Sequence, residues 1–584
     1  MENGKVSRRG FLTLAGLTVG AGAMGLAGCA PQTGTAQGNA GEALASTGAE
    51  ESTSTDWIGA PLAVNEDDIV DTRSCDLLIV GAGNGGMVAA ATASDLGLDF
   101  MVCEKAGAVQ ASRHWVGAVN TKWHKEANLE IDEKKLLNEL TRYASGRCNQ
   151  AVWNVWINES SEMVDYVHGI MSKAGFDLYL DTEGYDTHGG GTDFYAPPQQ
   201  HMWFDEQGAA LAGGPSPLCG IASSTTRNAV LEEYVGAAGH TIDYGYELVK
   251  LEQDDSGRVS GGIFSTEGGY VRVNARKGTL LATGGYPANP DMLLARAPGT
   301  VECCTRLNCS PNNTGDGIRL AAQIGAALDQ DGATMIFDRG VIAPGLDAGF
   351  ADGTKEFSGL NTDGPCWASL PFLKVNRRGK RFFNESAPYD WATAAALEQP
   401  GGVYCIVFDG KAPQDVVKFS ATGCAKIGVF QLAGQGVEEA CASFLEDGTM
   451  KKADTLDELA DELGFTGDAK QTFLQEVERY NGFCEKQVDE DFGKEAFRLA
   501  TVSEAPFYGI WCGGALLTTI DGVKINENMQ VLNEAREPIP GLYAAGDVSG
   551  SLFNGNYPEY HVGAACGRTL TFGRHAVRYI AENE

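Results

Sequence analysis

The sequence predicts an α/β fold, a parallel sheet interrupted by an inserted α+β capping domain. Three observations carry that expectation. The apolar run Cys75–Val80 leads directly into Gly81-Ala82-Gly83-Asn84-Gly85-Gly86. Two further apolar runs, at 279–285 and 541–547, end in small-residue turns far along the chain. Between these two, from about Met335 to Ala505, lies a stretch with strand–turn and amphipathic-helix signals of its own.

Composition bounds the answer first. The chain has 584 residues, 43% apolar and 21% charged, with 76 Gly and 20 Pro. That balance excludes a disordered tail, a collagen and a small disulfide scaffold, and at roughly 150 residues per domain it allows two to four cores. The 44 basic and 77 acidic side chains leave a net charge of −33, which repels polyphosphate and argues against a nucleic-acid partner.

Residues 1–29 read as an address rather than as fold. Ser7-Arg8-Arg9-Gly10-Phe11-Leu12 resembles a twin-arginine export signal, and Leu26-Ala27-Gly28-Cys29 resembles a bacterial lipobox. Cleavage and lipidation at Cys29 would tether the protein outside the cytoplasmic membrane. Residues 30–56 form a Gly/Ala/Ser/Thr-rich linker, and no Lys or Arg occurs from there until Arg73; such a segment behaves as a leash. No other run approaches the roughly 18 apolar residues of a spanning helix. Of 15 Cys, 14 remain once Cys29 is set aside. Export in the folded state argues against a disulfide framework, and Cys303, Cys304 and Cys309, the one cluster, fall short of the four thiolates an iron–sulfur site normally uses.

The glycine-rich segment has a specific physical reading. Gly81 makes a tight turn, Gly83 lets the backbone approach a pyrophosphate, and Gly86 permits close helix–strand packing, with the helix N-terminus facing the phosphates. A helix over Met87–Asp95 and a second strand over Asp99–Cys103 follow, ending at Glu104, 18 residues after Gly86. An acid there can accept hydrogen bonds from an adenosine ribose. The fold is therefore Rossmann-like.

Next, Ile242–Phe264 alternates as a strand pair turning at Asp254-Asp255-Ser256-Gly257. Thr279–Gly285 is a strand ending Ala282-Thr283-Gly284-Gly285, and Thr314–Gly317 opens a glycine-capped helix through Ile324. In the insertion, Val375–Phe382 signals strand–turn–strand, with helices expected at Thr455–Leu463 and Thr472–Glu485. Gly541–Asp547 returns as a strand running into Gly546 and an acid. It resembles the second FAD motif of two-dinucleotide-fold flavoproteins, and the 279–285 segment resembles their A-T-G-G segment. The expected division is 57–334 and 506–584 for the FAD-binding domain and 335–505 for a capping, substrate-closing domain. The expected FAD-binding residues are Gly81, Gly83, Asn84, Gly85, Gly86, Glu104, Val249, Thr283, Gly284, Gly285, Asp316, Gly546 and Asp547.

Together with Val375–Glu385 (V-N-x-x-G-x-R-F-x-N-E), Asp491–Lys494 and Thr571–Arg574, these motifs resemble the superfamily of FAD-dependent fumarate reductases, succinate dehydrogenases and 3-ketosteroid dehydrogenases. The likeness covers about 57–584. The arginine proton donor of the fumarate branch falls at Tyr389, its T-E-x-x-R element at the uncharged Gly364–Ala368, its paired histidines at about Leu516-Leu517, and its carboxylate-clamping arginine at about Tyr560. A dicarboxylate needs cations to offset desolvation, and these positions supply none; fumarate is not the expected substrate. The ketosteroid branch is nearer in Asn384–Tyr389, whose tyrosine handles the substrate proton, and in Tyr557-Pro558, whose phenol polarises a carbonyl. Glu559-Tyr560-His561 replaces the glycine that branch keeps next.

The resemblance implies an oxidoreductase acting on CH–CH groups. Hydride from flavin N5 and a proton from Tyr389 would saturate an activated, enone- or acrylate-like C=C bond. Tyr557, aided by His561, would donate to the carbonyl oxygen as it gains charge, and Trp367, Trp391 and Tyr389 are candidates to line an aromatic pocket. No C-x-x-C-H haem motif occurs, so a separate electron donor, a membrane or periplasmic cytochrome, is expected. The rival readings are a ketosteroid-type dehydrogenase working in reverse, fumarate reductase proper, and a flavin electron-relay lipoprotein without turnover.

Overall fold

A computed structural model describes residues 56–182, 194–205, 223–360, 364–421 and 423–584. The expected signal, Cys29 and the linker up to residue 55 lie outside the described residues. In chain order, the elements that build the site are β1 (Ile69–Val80), α1 (Asn84–Asp95), β2 (Phe100–Glu104), α2 (Glu133–Tyr143), β3 (Gly269–Leu281) and β4 (Thr334–Val341). They continue with α3 (Tyr389–Leu397), α4 (Gly423–Gln435), β5 (Phe507–Thr519), β6 (Pro538–Ala544) and α5 (Ala564–Asn583).

Leu77 to Val80 have no solvent face, because β1 is covered on both sides and paired on both edges. β2 lies parallel on one edge, with Val80 opposite Cys103, and β3 parallel on the other, with Val80 opposite Leu281. β6 extends the sheet parallel to β3, so residues more than 400 apart in sequence become near neighbours at one end of it. The 242–264 segment supplies a short parallel edge strand (Ile242–Tyr244) and an antiparallel pair (Glu247–Gln253, Val259–Thr266) that turns where the sequence predicts. α5 crosses α1 closely enough that a Cβ on Gly573 would lie 2.3 Å from the Gly85 carbonyl oxygen.

A second, six-stranded sheet organises the insertion around β5, which pairs with β4, with Tyr404–Asp409 and with Lys451–Ala453. β5 and Cys304–Leu307 belong to this sheet although they lie outside 335–505. One apolar cluster packs on each face of it, around Trp367 and Phe408 on one side and Phe473 and Trp511 on the other. The later expected helices form at Leu456–Glu462 and, longer than expected, at Gly467–Lys486. The strand–turn–strand at Val375–Phe382 is corrected: Leu373–Val375 is a strand and Asn376–Gly379 turns, but no second strand follows. Arg381 leaves the turn to ion-pair with Glu385 at 2.8 Å and Asp489 at 3.0 Å, side chains with no solvent exposure, and that buried clasp takes the chain away from the sheet.

Candidate active site

The nucleotide half follows from local sequence. Gly81 has φ +104°, and a Cβ on Gly86 would sit 1.8 Å from the Gly81 carbonyl oxygen, so the turn closes only on glycine. At Gly83 a Cβ would meet nothing within 4 Å. The packing is tight where helix meets strand and open where a phosphate must approach. α1 starts immediately after Gly83 with no side-chain cap, leaving its first-turn N–H groups for an anion. The Glu104 carboxylate accepts hydrogen bonds from the Ala82 and Ala106 N–H groups, both at 2.8 Å, and each oxygen keeps a lone pair for a ribose hydroxyl. Thr283 presents a buried hydroxyl without a partner, and a Cβ on Gly317 would crowd it at 2.1 Å.

Other expected residues are engaged by protein. The Asn84 carbonyl oxygen accepts from Arg227 at 2.7 Å and Asn228 at 3.0 Å. Gly85 and Gly546 both pack against Thr569 of α5, and Gly284 turns with φ +73° beside Gly285, which lies against Thr519. Asp316, heading its glycine-capped helix, pairs with Lys105 at 2.7 Å. Val249 sits half-buried at a bulge in its strand. Asp547 accepts from Thr518 at 3.0 Å and Arg568 at 2.9 Å, and also pairs with Arg113. Arg113, Arg227 and Arg568 carry no motif and escaped sequence reading; burial lowers Arg568 to about 10. The unpartnered Thr283 hydroxyl, the uncapped helix and the glycine cradle fit FAD.

The second half gathers where β4, α3, α4 and the loop before α5 meet. Tyr389 begins α3, buried against Phe337, and its phenol oxygen accepts the Ala425 N–H at 3.0 Å. Burial, with Glu559 and Cys424 adding to it and Arg339 opposing, holds the phenol well above its ordinary range. Tyr557 is pushed up to about 12, chiefly by burial; its hydroxyl accepts from the Ala565 N–H at 3.1 Å and donates to the His561 carbonyl at 3.3 Å. The donor expected of Tyr557 is thus committed to its own loop. His561 is fully buried and lowered to about 3 by desolvation, so it is neutral. The Gln199 side-chain amide lies 3.5 Å from its Nδ1, and its Nε2 is buried without a partner.

Tyr143, at the end of α2, meets His561 edge-on and Trp391 at a tilt, and Phe194 meets Trp391 edge-on and Tyr560 at a tilt. The aromatic wall is therefore built by these residues. Trp367, expected there, lies instead in the cap core against Phe408. Tyr560 donates to the Ser386 carbonyl at 2.8 Å.

A cation that sequence reading missed stands beside Tyr389. The β4–β5 register slips between Phe337 and Gly340, and the bulge re-aims Asp338 and Arg339. The buried Arg339 guanidinium lies 4.0 Å from the centre of the Phe337 ring and contacts Cys424, while its Nη1 has no partner and no carboxylate among the described residues pairs with it. Gly364 makes room, since a Cβ there would lie 1.7 Å from the Arg339 carbonyl oxygen. Asp390, next to Tyr389, has both carboxyl oxygens buried without partners, and burial raises it to about 7. Cys303 and Cys304 are buried and Cys309 partly so; among the described residues no group of three or more His, Cys, Asp or Glu is arranged to hold a metal ion.

A parallel sheet ending in a glycine cradle, facing a capping sheet with buried acids, defines an FAD-dependent oxidoreductase. Residues 76–560 match the FAD binding domain family, and the chain belongs to it. It is 25% identical over 520 residues to the vinyl phenol reductase of Lactiplantibacillus plantarum, an alignment covering 87% of this chain and 97% of that protein. It is 26% identical over 625 aligned residues to the digoxin reductase of Eggerthella lenta, covering all of both. The 3-ketosteroid delta1-dehydrogenase of Sterolibacterium denitrificans shares the fold with a TM-score of 0.65 at 22% identity, over 88% of this chain and 100% of that one. A flavocytochrome c3 fumarate reductase in its open conformation gives 0.63 at 22%, over 91% and 82%.

Proposed function

We propose that this protein reduces an activated C=C bond, in an enone- or acrylate-like acceptor, with Tyr389 as the proton donor. The observation that carries the reading is the setting of that phenol. Its oxygen takes one backbone N–H, which leaves its own proton to give, and an uncompensated guanidinium stands beside it. FAD, when bound, supplies the hydride. Tyr389 protonates the carbon next to the one that receives it. Arg339 and the neutral His561 ring take up the negative charge growing on the acceptor's carbonyl or carboxylate, a role that strengthens in a buried site. Two full-length relatives bearing the names vinyl phenol reductase and digoxin reductase support the reductive direction.

One cation in place of several fits an acceptor with a single anionic or carbonyl group better than a dicarboxylate. The wall of Tyr143, Trp391 and Phe194 suits a ring-bearing acceptor such as a cinnamate. The protein is exported by the twin-arginine route, anchored through lipid on Cys29, and takes electrons from a separate extracytoplasmic donor; Ser7–Leu12, Leu26–Cys29 and the absence of a haem-attachment motif support this.

An anaerobic screen tests the activity. Dithionite-reduced viologen serves as donor, and enoates, cinnamates, enones, lactones, vinyl phenols and fumarate as acceptors. The expected result is viologen oxidation with a saturated product that carries two solvent deuterons in D2O, because viologen supplies electrons and no hydrogen. FAD-loaded protein that oxidises viologen with none of them above background would end the proposal.

A further inference from the structure

Glu559 stands where the ketosteroid-like pattern has glycine, and its carboxyl does two things. It accepts the backbone N–H of Tyr389 and it interacts with the Tyr389 phenol itself. Tyr389 and Asp390 are buried, whereas Glu559 stays partly exposed. Glu559 thus joins Tyr389, through its backbone and its phenol, to a position on the chain that is partly exposed. The ionisable groups around it are Tyr389 and Asp390 on α3, Asp338 and Arg339 on the β4 bulge, Tyr143 at the end of α2, Cys424 on α4 and Tyr560 in its own loop. Five oxygen acids and a thiol outnumber the one guanidinium, and the two carboxyls among them, Asp390 and Asp338, disfavour a further negative charge at Glu559. Desolvation, with Asp390 and Asp338 reinforcing it, holds the Glu559 carboxyl well above the ordinary glutamate range.

A buried phenol that has given up its proton cannot start another cycle until it is recharged. Ala425 offers it only an amide N–H, which steadies a phenolate but does not protonate it. We propose that Glu559 recharges Tyr389: its carboxylic O–H breaks, the Tyr389 O–H re-forms, and the resulting carboxylate recovers a proton from water. One proton moves at each stage and no electron does. The inference rests on Tyr389 being the acid. It makes Glu559 a proton-supplying residue that acts through Tyr389, rather than one that meets the acceptor.

Two measurements on the full-length, FAD-loaded protein test it. At pH 8, infrared spectra of protein labelled with 13C-glutamate should contain a glutamic-acid C=O band that E559Q and E559D both lack. Absence of that band in the parent, or its survival in both variants, overturns the proposal. The pre-reduced enzyme is then mixed with cinnamate, or with the best acceptor of the screen. E559Q should complete the first turnover within about twofold of the parent, since Tyr389 starts protonated, while steady turnover falls about tenfold or more. Imidazolium buffer should restore part of it, and E559D most of it. Equal losses in first and steady turnover, or a steady rate at the parental level, overturn the role of Glu559. Y389F separates the two readings. If it keeps the parental first turnover, the acid assignment itself fails; if it loses that turnover while E559Q is unaffected, only the recharging role falls. Should E559Q not load FAD, E559D and the labelled spectra decide.

Discussion

Replacing Tyr389 with phenylalanine removes one oxygen and, with it, two separate functions of different size. The first is structural: the Ala425 N–H loses its acceptor at 3.0 Å, in a place where water does not replace it. An unsatisfied buried donor costs about 1–3 kcal/mol, a tolerable loss for a chain whose cap is held by two apolar clusters. The second, on the proposed mechanism, is chemical, and removal of a positioned acid typically slows a reaction by roughly 10²–10⁴-fold, or about 3–5 kcal/mol of barrier. Y389F should therefore fold, bind FAD and melt a few degrees lower, yet turn over at a hundredth of the parental rate or less. Viologen oxidation under argon, normalised to bound flavin by absorbance, measures this directly. Full activity in a flavin-replete Y389F protein would refute the assignment, and a loss of only two- to threefold would point to packing alone.

Four further outcomes are expected. Arg339→Met should raise the melting temperature, because a buried cation without a partner is replaced by apolar surface, and should raise the KM for acceptors tenfold or more; a lower melting temperature with unchanged KM would show the guanidinium to be structural. Asp390 lies near 7 in the folded protein against 3.8 as a free side chain, so the native state holds its proton more tightly, and stability falls as pH rises from about 4 to 7. That displacement amounts to about 4 kcal/mol, and D390N should melt higher than the parent at pH 8 but not at pH 4, as scanning fluorimetry at both pH values would reveal. Gly86→Ala pushes a methyl to within 1.8 Å of the Gly81 oxygen; overpacking of about 1–3 kcal/mol should show as flavin lost on gel filtration. Cys29→Ala should abolish incorporation of a labelled fatty acid and release the protein from washed membranes, and continued labelling would contradict lipidation there.

The nucleotide site was legible because its requirements are local. A strand, a turn with positive φ at Gly81 and a helix packed without a Cβ at Gly86 leave few residue choices, all within six positions. The second half is assembled from segments far apart, and its chemistry depends on register. Arg339 has no neighbouring motif; it meets Tyr389 only because β4 bulges against β5 between Phe337 and Gly340. Trp367 illustrates the opposite error. It is close to Tyr389 in sequence and aromatic, but a short helix turns it into the core against Phe408. Tyr557 was recognisable as a conspicuous phenol, while the hydrogen bonds that commit it to Ala565 and His561 follow from the turn into α5, which no spacing rule contains.

The exchange of a guanidinium for a phenol at position 389, implied by the family resemblance, has a consequence for the residues around it. A guanidinium is charged at rest, so one such group can both bind an anionic acceptor and, as the resemblance implies for the fumarate branch, serve as its acid. A phenol does only the second. Charge recognition must then come from elsewhere, and the proposed mechanism assigns it to Arg339, brought in by the bulge and left without a carboxylate. The phenol in turn is tuned from both sides: burial and Glu559 raise it, making it slow to give a proton and quick to regain one, while Arg339 opposes them and eases donation. On the proposed mechanism, proton delivery, proton recovery and anchoring of the acceptor fall to three side chains on three segments. That separation lets the acceptor end of the site change without disturbing the glycine cradle that holds the flavin.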